Sequence, residues 1–133
     1  MAKKQYTTKD SGKRQEYQSG MRRDTQEGKP DFTLLLTDLP YSEQLLTRWA
    51  GLMARGAEKY GRNNWQLANS QDELDRFKAS AFRHFMQWIT GEDDEDHAAA
   101  VLFNINAAEY VKSKLLGGSE DVQIKEQELS PKT

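Results

Sequence analysis

Hydrophobic residues between positions 42 and 116 recur every three or four positions, the spacing of one face of an α-helix. Three such segments are separated by Gly61 and Gly91, which predicts three helices. The first is predicted to be capped by Ser42, the second to begin after Ser70, and the third to run from about residue 95 to 116. No pair of segments predicts paired strands, so the expected class is all-α.

Each predicted helix has one stripe of apolar or small side chains that would face a core. In the first helix the stripe is Leu45, Leu46, Trp49, Leu52, Met53 and Ala57. In the second it is Leu74, Phe77, Ala81, Phe85, Trp88 and Ile89. In the third the face is Ala100, Val101, Asn104, Ile105 and Ala108, and the small residues 98–100 would permit close helix packing.

Both ends of the chain are polar. We predict a flexible basic tail over residues 1–18, a helical domain over residues 19–116 and a flexible tail over residues 117–133. Because three helices of this length bury little surface alone, we expect a compact bundle whose core is completed by oligomerisation, as a homodimer or homotetramer.

Composition excludes several classes of protein. The 133 residues include no cysteine, which excludes a disulfide scaffold, a thiolate zinc site and a cysteine nucleophile. A mean hydropathy of −0.92 is incompatible with a membrane span. Nineteen basic and 21 acidic residues give a net charge of −2, so stable nucleic-acid binding is not expected. No apolar signal segment follows Met1, and a cytoplasmic location is expected.

Five consecutive acidic residues, 92–96, stand between the second and third predicted helices. They are consistent with an exposed acidic start of a helix, which the helix dipole favours. They are also consistent with a site for Mg²⁺ or Mn²⁺, because both ions prefer oxygen ligands. In that second interpretation Glu92, Glu95 and Asp96 converge on one ion, and His97 lies beside them.

Two further groups of residues suit a nucleotide. After the first helix, Lys59 and Arg62 could contact phosphate, while Asn63 or Asn64 could bind a base edge and Trp65 could stack on a base. The same residues are also typical of an ordinary helix end followed by turns. In the second helix, Arg83 and His84 precede the acidic run and would bring a cation near a bound metal.

These blocks, in this order, resemble the phage-type dATP/dGTP diphosphohydrolases, which are similar to the MazG-like all-α nucleoside triphosphate pyrophosphatases. The blocks are Ser-Gly-Met-Arg-Arg-Asp at 19–24, Gly-Lys-Pro at 28–30, Gly-Ala-Glu-Lys-Tyr-Gly at 56–61 with Asn64-Trp65, Ser-Ala-Phe-Arg-His at 80–84, and Gly-Glu-x-x-Glu-Asp-His-Ala-Ala-Ala at 91–100 with Phe103-Asn104. One departure is clear. The helix expected to carry E-E-x-x-E reads Arg-His-Phe-Met-Gln at 83–87.

The resemblance implies metal-dependent hydrolysis of a purine deoxynucleoside triphosphate to the monophosphate and pyrophosphate. Two or three Mg²⁺ or Mn²⁺ ions would bridge the phosphates, and metal-activated water would attack the α-phosphorus. The catalytic assignments are Glu92, Glu95, Asp96 and His97. The metal ligands are assigned as Glu92, Glu95 and Asp96, with Glu58 as a further one. The phosphate-binding assignments are Arg22, Arg23, Lys29, Lys59, Arg83 and His84. The nucleobase assignments are Asn63, Asn64, Trp65 and Asn104.

Two other functions remain open from the sequence. An HD-type metal phosphohydrolase needs more histidines than the two present, and the pair here reads Asp96-His97, the reverse order. A non-catalytic helical protein that binds a nucleotide or a protein partner would explain the charged runs as solvated surface. If the protein is such an enzyme, dGTP is the favoured substrate and dATP is the alternative.

Overall fold

The computed structural model describes residues 5–117, in two compact units. The described residues up to Thr37 form the N-terminal unit, and those from Asp38 form the helical unit. Of the predicted C-terminal tail, residues 117–133, Gly117 is the last residue of the third helix, and residues 118–133 lie outside the described residues.

The N-terminal unit is built on a short antiparallel hairpin. Strands β1, Arg14–Glu16, and β2, Arg22–Asp24, pair with Gln15 opposite Arg23. A 3-10 turn, Phe32–Leu35, follows. The hairpin turn uses Gly20 at φ 92°, a left-handed conformation that glycine adopts without steric cost.

This strand pair corrects the sequence prediction, which contained no strands. Both strands are exposed along nearly their whole length, so neither has the alternation of apolar and polar residues that reveals a half-buried strand. Charged contacts accompany the pairing: Arg14 binds Asp10 at 2.7 Å and Lys29 binds Asp24 at 3.3 Å. The predicted boundary at residue 18 falls in the hairpin turn, and the division into tail and domain stays a prediction.

The helical unit confirms the all-α class. A 3-10 turn precedes helix α1, a second one joins α1 to α2, and an acidic turn joins α2 to α3. The bounds are Tyr41–Glu43 for the first 3-10 turn, Leu45–Tyr60 for α1, Asn64–Leu67 for the second turn, Gln71–Ile89 for α2 and His97–Gly117 for α3. Helix α3 packs against both α1 and α2. Within the described residues, every helix is too short or too polar to span a membrane.

Ser70 and Gly61 mark helix ends as the sequence predicts, whereas Ser42 does not. Ser70 caps α2, since its hydroxyl accepts a hydrogen bond from the Glu73 amide at 3.2 Å. Gly61, at φ 92°, ends α1. The prediction that Ser42 caps α1 is wrong. Ser42 lies inside the 3-10 turn that starts after Pro40, so Gln44 takes the cap position instead.

The core is small and centres on α3. Ala68, Leu74 and Val111 form its buried cluster. Ala99 and Ala107 have no exposed surface, which fits the expected close packing of α3. The predicted stripe of α2 is correct only in its first half, because Phe85, Trp88 and Ile89 are 41–58% exposed. The buried face continues from Leu74 to His84 rather than to Phe85, so part of the apolar surface of α2 is uncovered. The expected oligomer stays a prediction.

Lys114 holds the connection between α1 and α2 against α3. Its Nζ atom donates hydrogen bonds to the carbonyl oxygens of Gln66 and of Ala68, the latter at 3.0 Å. The same ammonium lies 4.7 Å from the ring centroid of Tyr110. Trp65 lies in this connection and packs edge-on against Phe103 and Tyr110, with ring centroids 6.0 and 5.6 Å apart.

We expect Lys114→Met to lower the free energy of unfolding by about 1.5–3 kcal/mol, because two carbonyls lose a charged donor. Methionine keeps most of the apolar stem, so the loss reports on the ammonium. Urea titration monitored by tryptophan fluorescence measures it. Lys112→Met removes the same charge from an exposed position on α3 and should change stability by less than about 0.5 kcal/mol. Equal effects of the two substitutions would contradict this role.

Candidate active site

A cavity of about 1160 Å³ opens within the helical unit. Its walls come from the second half of α1, the connection to α2, the buried face of α2 and the start of α3. We call it the α1–α3 cavity. Its volume is slightly above the roughly 300–1,000 Å³ typical of small-molecule sites in proteins, and it leaves room for a nucleotide with its phosphates.

The α1–α3 cavity carries opposite charges on different walls. Arg55, Lys59 and Arg62 line it from α1 and the residues after it. Asp94, Glu95 and Asp96 line it from the turn before α3. A single anion would be repelled by the acidic wall, whereas a polyphosphate with a divalent cation complements both walls.

Arg48 of α1 forms an ion pair with Asp96, which lines the α1–α3 cavity. The guanidinium donates to both carboxylate oxygens of Asp96, from Nε at 2.9 Å and from Nη2 at 2.8 Å. Asp96 Oδ1 also accepts from the Ala99 amide at 3.1 Å, which caps the start of α3. The Arg48 hydrogen bonds are the main reason that the pKa of Asp96 lies below its ordinary value. Asp96 therefore ties α1 to the first turn of α3.

We expect Asp96→Ala to lower the free energy of unfolding by about 2 kcal/mol, from a lost cap and a lost, partly screened ion pair. Asp96→Asn keeps a cap oxygen and should lose about half as much. Because the folded pKa is lowered, the carboxylate's contribution is present above the ordinary pKa and disappears as pH falls through the folded one. Thermal unfolding across this acid range should therefore bring wild type and Asp96→Asn together. Equal stability of all three proteins at pH 7 would contradict the assignment.

Three ligand-type side chains converge at the end of the acidic turn. Glu92, Asp94 and His97 each offer one ligand atom, and these atoms lie within 4.8 Å of one another. Asp94 Oδ1 is 2.7 Å from His97 Nε2. This bond is the first cause of a lowered pKa at Asp94. The set of two carboxylates and an imidazole suits Mn²⁺ and is acceptable to Mg²⁺.

A buried oxygen adjoins this cluster. Gln87 donates from Nε2 to Glu92 Oε2 at 2.8 Å. Its Oε1 atom is buried, and among the buried side-chain nitrogen and oxygen atoms of the described residues it is the one that lacks a hydrogen-bond partner. Buried acceptors without a partner are uncommon, and a cation is one explanation of such an atom. The residues present therefore fit a hard divalent cation.

The two histidines of the chain contact each other. His84 Nδ1 lies 2.9 Å from His97 Nδ1, and the residues are 8% and 2% exposed. Burial is the largest cause of a lowered pKa at His84, followed by the charge of Arg83. Because His97 Nδ1 faces His84, its Nε2 is the nitrogen directed at Asp94 and at the cluster.

Amide and aromatic side chains surround the remainder of the α1–α3 cavity. Asn104 is 6% exposed, and its Nδ2 donates to the Ala100 carbonyl at 2.8 Å. This bond directs one donor of the amide away from any ligand. Asn63 adopts a left-handed φ of 63°, which asparagine tolerates better than most residues.

The structure brings most of the predicted site residues together. The residues that line the α1–α3 cavity are Lys59, Asn63, Asn64, Trp65, His84, Glu95, Asp96 and Asn104. Glu92 and His97 belong to the ligand cluster. Arg83 is exposed, with Nη2 3.5 Å from His84 Nε2. Glu58 is exposed and stands outside the cavity lining.

Two of the three predicted phosphate-binding residues of the N-terminal unit have acidic partners there. Arg22 lies 3.7 Å from Glu16, and Lys29 lies 3.3 Å from Asp24. Arg23 belongs to β2. Their assignment to phosphate binding stays a prediction.

Sequence reasoning missed three residues of this site. Asp94 was treated as one member of an acidic run, and nothing in the run distinguishes it from its neighbours. Arg55 lies one turn before Lys59 on the same helix, and that spacing could have indicated a second cation on this wall. Gln87 has no sequence signal of its own.

The chain was compared with known proteins. Neither curated proteins nor solved structures gave a match. A family model described as dATP/dGTP diphosphohydrolase, N-terminal, matches residues 19–116. Most of the chain, including both sides of the α1–α3 cavity and the ligand cluster, lies inside the matched range. The chain therefore belongs to the dATP/dGTP diphosphohydrolase N-terminal family.

Proposed function

We propose that this chain hydrolyses a purine deoxynucleoside triphosphate, dGTP or dATP, to the monophosphate and pyrophosphate with the help of Mg²⁺ or Mn²⁺. The observation that carries the proposal is the opposed charge of the α1–α3 cavity, with three cations on one wall and carboxylates on another. The family name supports the same substrate class.

In this proposal Glu92, Asp94 and His97 hold a divalent cation, with Gln87 Oε1 as a neighbouring oxygen. When bound, such an ion supplies Lewis-acid charge that stabilises the phosphate oxygens and makes water more acidic. Further ions near Glu95 remain part of the proposal, as the resemblance implies.

The protein's own groups position the triphosphate. Arg55, Lys59 and Arg62 bind the phosphate oxygens that carry the leaving pyrophosphate's charge. Glu95 lines the cavity and is the proposed acceptor of the proton released by the attacking water. Water adds to the α-phosphorus, and the bond to the bridging oxygen of the β-phosphate breaks, so one water is consumed per pyrophosphate released.

The base is assigned to the amide and aromatic side chains that line the α1–α3 cavity. Asn63, Asn64 and Asn104 offer amide groups, and Trp65 offers an aromatic surface. Trp65 already packs edge-on against two rings, so its position is fixed before a ligand arrives.

The test is product analysis by anion exchange. The full chain is incubated separately with dGTP, dATP, GTP, dCTP and dTTP, in Mg²⁺, Mn²⁺ or EDTA. We expect a purine deoxynucleoside monophosphate and pyrophosphate, and no reaction in EDTA. Nucleoside plus triphosphate would instead indicate the HD-type reaction. No turnover with either metal would overturn the proposal and favour a nucleotide-binding protein.

A further inference from the structure

Asn104 presents an unpaired oxygen to the α1–α3 cavity. The residue is 6% exposed, and its Nδ2 donates to the Ala100 carbonyl at 2.8 Å. A carbonyl oxygen only accepts hydrogen bonds, so the amide atom that faces Ala100 must be the nitrogen. Within the described residues, Oδ1 of Asn104 has no hydrogen-bond donor. Unlike Gln87 Oε1, this oxygen is not sealed in the core, because Asn104 lines the cavity.

The position of Asn104 along α3 places its oxygen near the base of a bound nucleotide. His97, a member of the ligand cluster, lies seven positions earlier on α3, which is about 10 Å along the helix axis. The Watson–Crick edge of a base is far from the phosphates of a nucleotide, whereas the sugar is next to the α-phosphate. Phe103 precedes Asn104 and contacts Trp65, with ring centroids 6.0 Å apart. Asn104 therefore lies beside the aromatic side chains that are assigned to the base.

We propose that Asn104 Oδ1 selects guanine over adenine, by accepting hydrogen bonds from the N1–H and the N2 amino group of guanine. The inference rests on the proposed hydrolysis of a purine deoxynucleoside triphosphate and names its base. One amide oxygen has two lone pairs, so it can accept from both of these neighbouring donors. Adenine in the same position has a bare N1 and no N2 amino group, so the lone pair of its N1 would face the oxygen.

The bound nitrogen of Asn104 argues against the usual pairing of asparagine with adenine. That pairing is bidentate and uses the oxygen and the nitrogen of the amide together. Here the nitrogen is bound to Ala100 on the same helix, and a flip of the amide toward adenine would leave its oxygen facing that carbonyl. Because Asn104 is buried, a ligand that leaves its oxygen unpaired binds less tightly than one that donates to it.

The test compares the substrate preference of wild type and Asn104→Leu, using the full chain with Mg²⁺ or Mn²⁺. We expect the wild-type kcat/KM for dGTP to be about 10–100-fold above that for dATP, and Asn104→Leu to bring the two within about threefold. Leucine has the same branching as asparagine and suits a buried position. The ratio is measured within one protein, so a partial loss of folded protein cancels.

Asn106→Leu is the matched control, because it makes the same change at an exposed position of α3 outside the cavity lining. Its ratio of kcat/KM for dGTP to kcat/KM for dATP should equal that of wild type. The same loss of preference in both variants would contradict a specific role of Asn104.

Two analogues identify the group that Asn104 contacts. dITP keeps the N1–H but lacks the N2 amino group, so wild type should hydrolyse it at a level between dGTP and dATP. The 2′,3′-dideoxy analogue of dGTP keeps the guanine edge but lacks the sugar 3′-hydroxyl, and Asn104→Leu should lower its hydrolysis as strongly as that of dGTP. If the effect of the substitution disappears with the dideoxy analogue, the oxygen accepts from the sugar and the assignment to guanine is overturned.

The outcomes separate this inference from the proposed function. If wild type hydrolyses purine deoxynucleoside triphosphates and Asn104→Leu leaves the ratio unchanged, the role of Asn104 in specificity is refuted and the activity stands. A variant that loses activity on dATP more than on dGTP would indicate the bidentate pairing with adenine and would also refute it. If wild type hydrolyses neither nucleotide with either metal, the proposed function fails, and the inference fails with it.

Discussion

Replacing Asp94 with asparagine is expected to lower kcat/KM for the purine triphosphate by at least about 100-fold. The substitution removes one negative oxygen from the ligand cluster and weakens the acceptor that orients His97 Nε2. The side chain of Asp94 is 66% exposed, so the fold should be unaffected. Steady-state pyrophosphate release at several Mn²⁺ concentrations measures the effect, and excess Mn²⁺ should restore part of it.

Asp93→Asn is the matched control for that experiment. Asp93 has the same charge and adjoins Asp94 in the acidic turn, but it is not a member of the ligand cluster. We expect its kcat/KM to stay within about twofold of wild type. Similar losses in both variants would mean that the acidic turn acts through its overall charge, and the assignment of Asp94 as a ligand would be withdrawn.

The helical half of the fold was predictable because its signals are local. Ser70 with Glu73 marks the start of α2, and Gly61 marks the end of α1 without any tertiary information. The hairpin was missed since its exposed strands have no apolar alternation. The uncovered residues Phe85 and Trp88 were assigned to a core because helical spacing does not say how wide the covered face is.

The sequence predicts which regions of the chain form the candidate site, but not which side chains contact each other there. Sequence spacing placed the acidic run after the second helix, yet which carboxylate points at His97 depends on the path of the turn from Gly91, whose φ is 83°. The contact between His84 and His97 requires α2 and α3 to pack closely across that turn. The pairing of Asp96 with Arg48 was also not predictable, because the two residues are 48 positions apart and no local pattern connects them.

Arg55→Met is the second substitution that we expect to lower activity strongly. Arg55 lines the basic wall of the α1–α3 cavity, and a guanidinium can donate two parallel hydrogen bonds to one phosphate. We expect kcat/KM to fall about 10–100-fold, the range typical of losing a charge-assisted contact in the transition state. Methionine retains the apolar stem, so the helix should be preserved, which circular dichroism can confirm.

Arg76→Met provides the control, because Arg76 is an exposed arginine of α2 outside the cavity lining and its loss changes the net charge equally. Its kcat/KM should stay near the wild-type value. The separate changes in kcat and KM identify what Arg55 does. A rise in KM alone would mean that it binds substrate and transition state equally, whereas a fall in kcat would mean that it stabilises charge developing on the leaving pyrophosphate. If both arginine variants lost activity equally, the general field of the protein would explain the loss, and the basic wall would no longer support phosphate binding at Arg55.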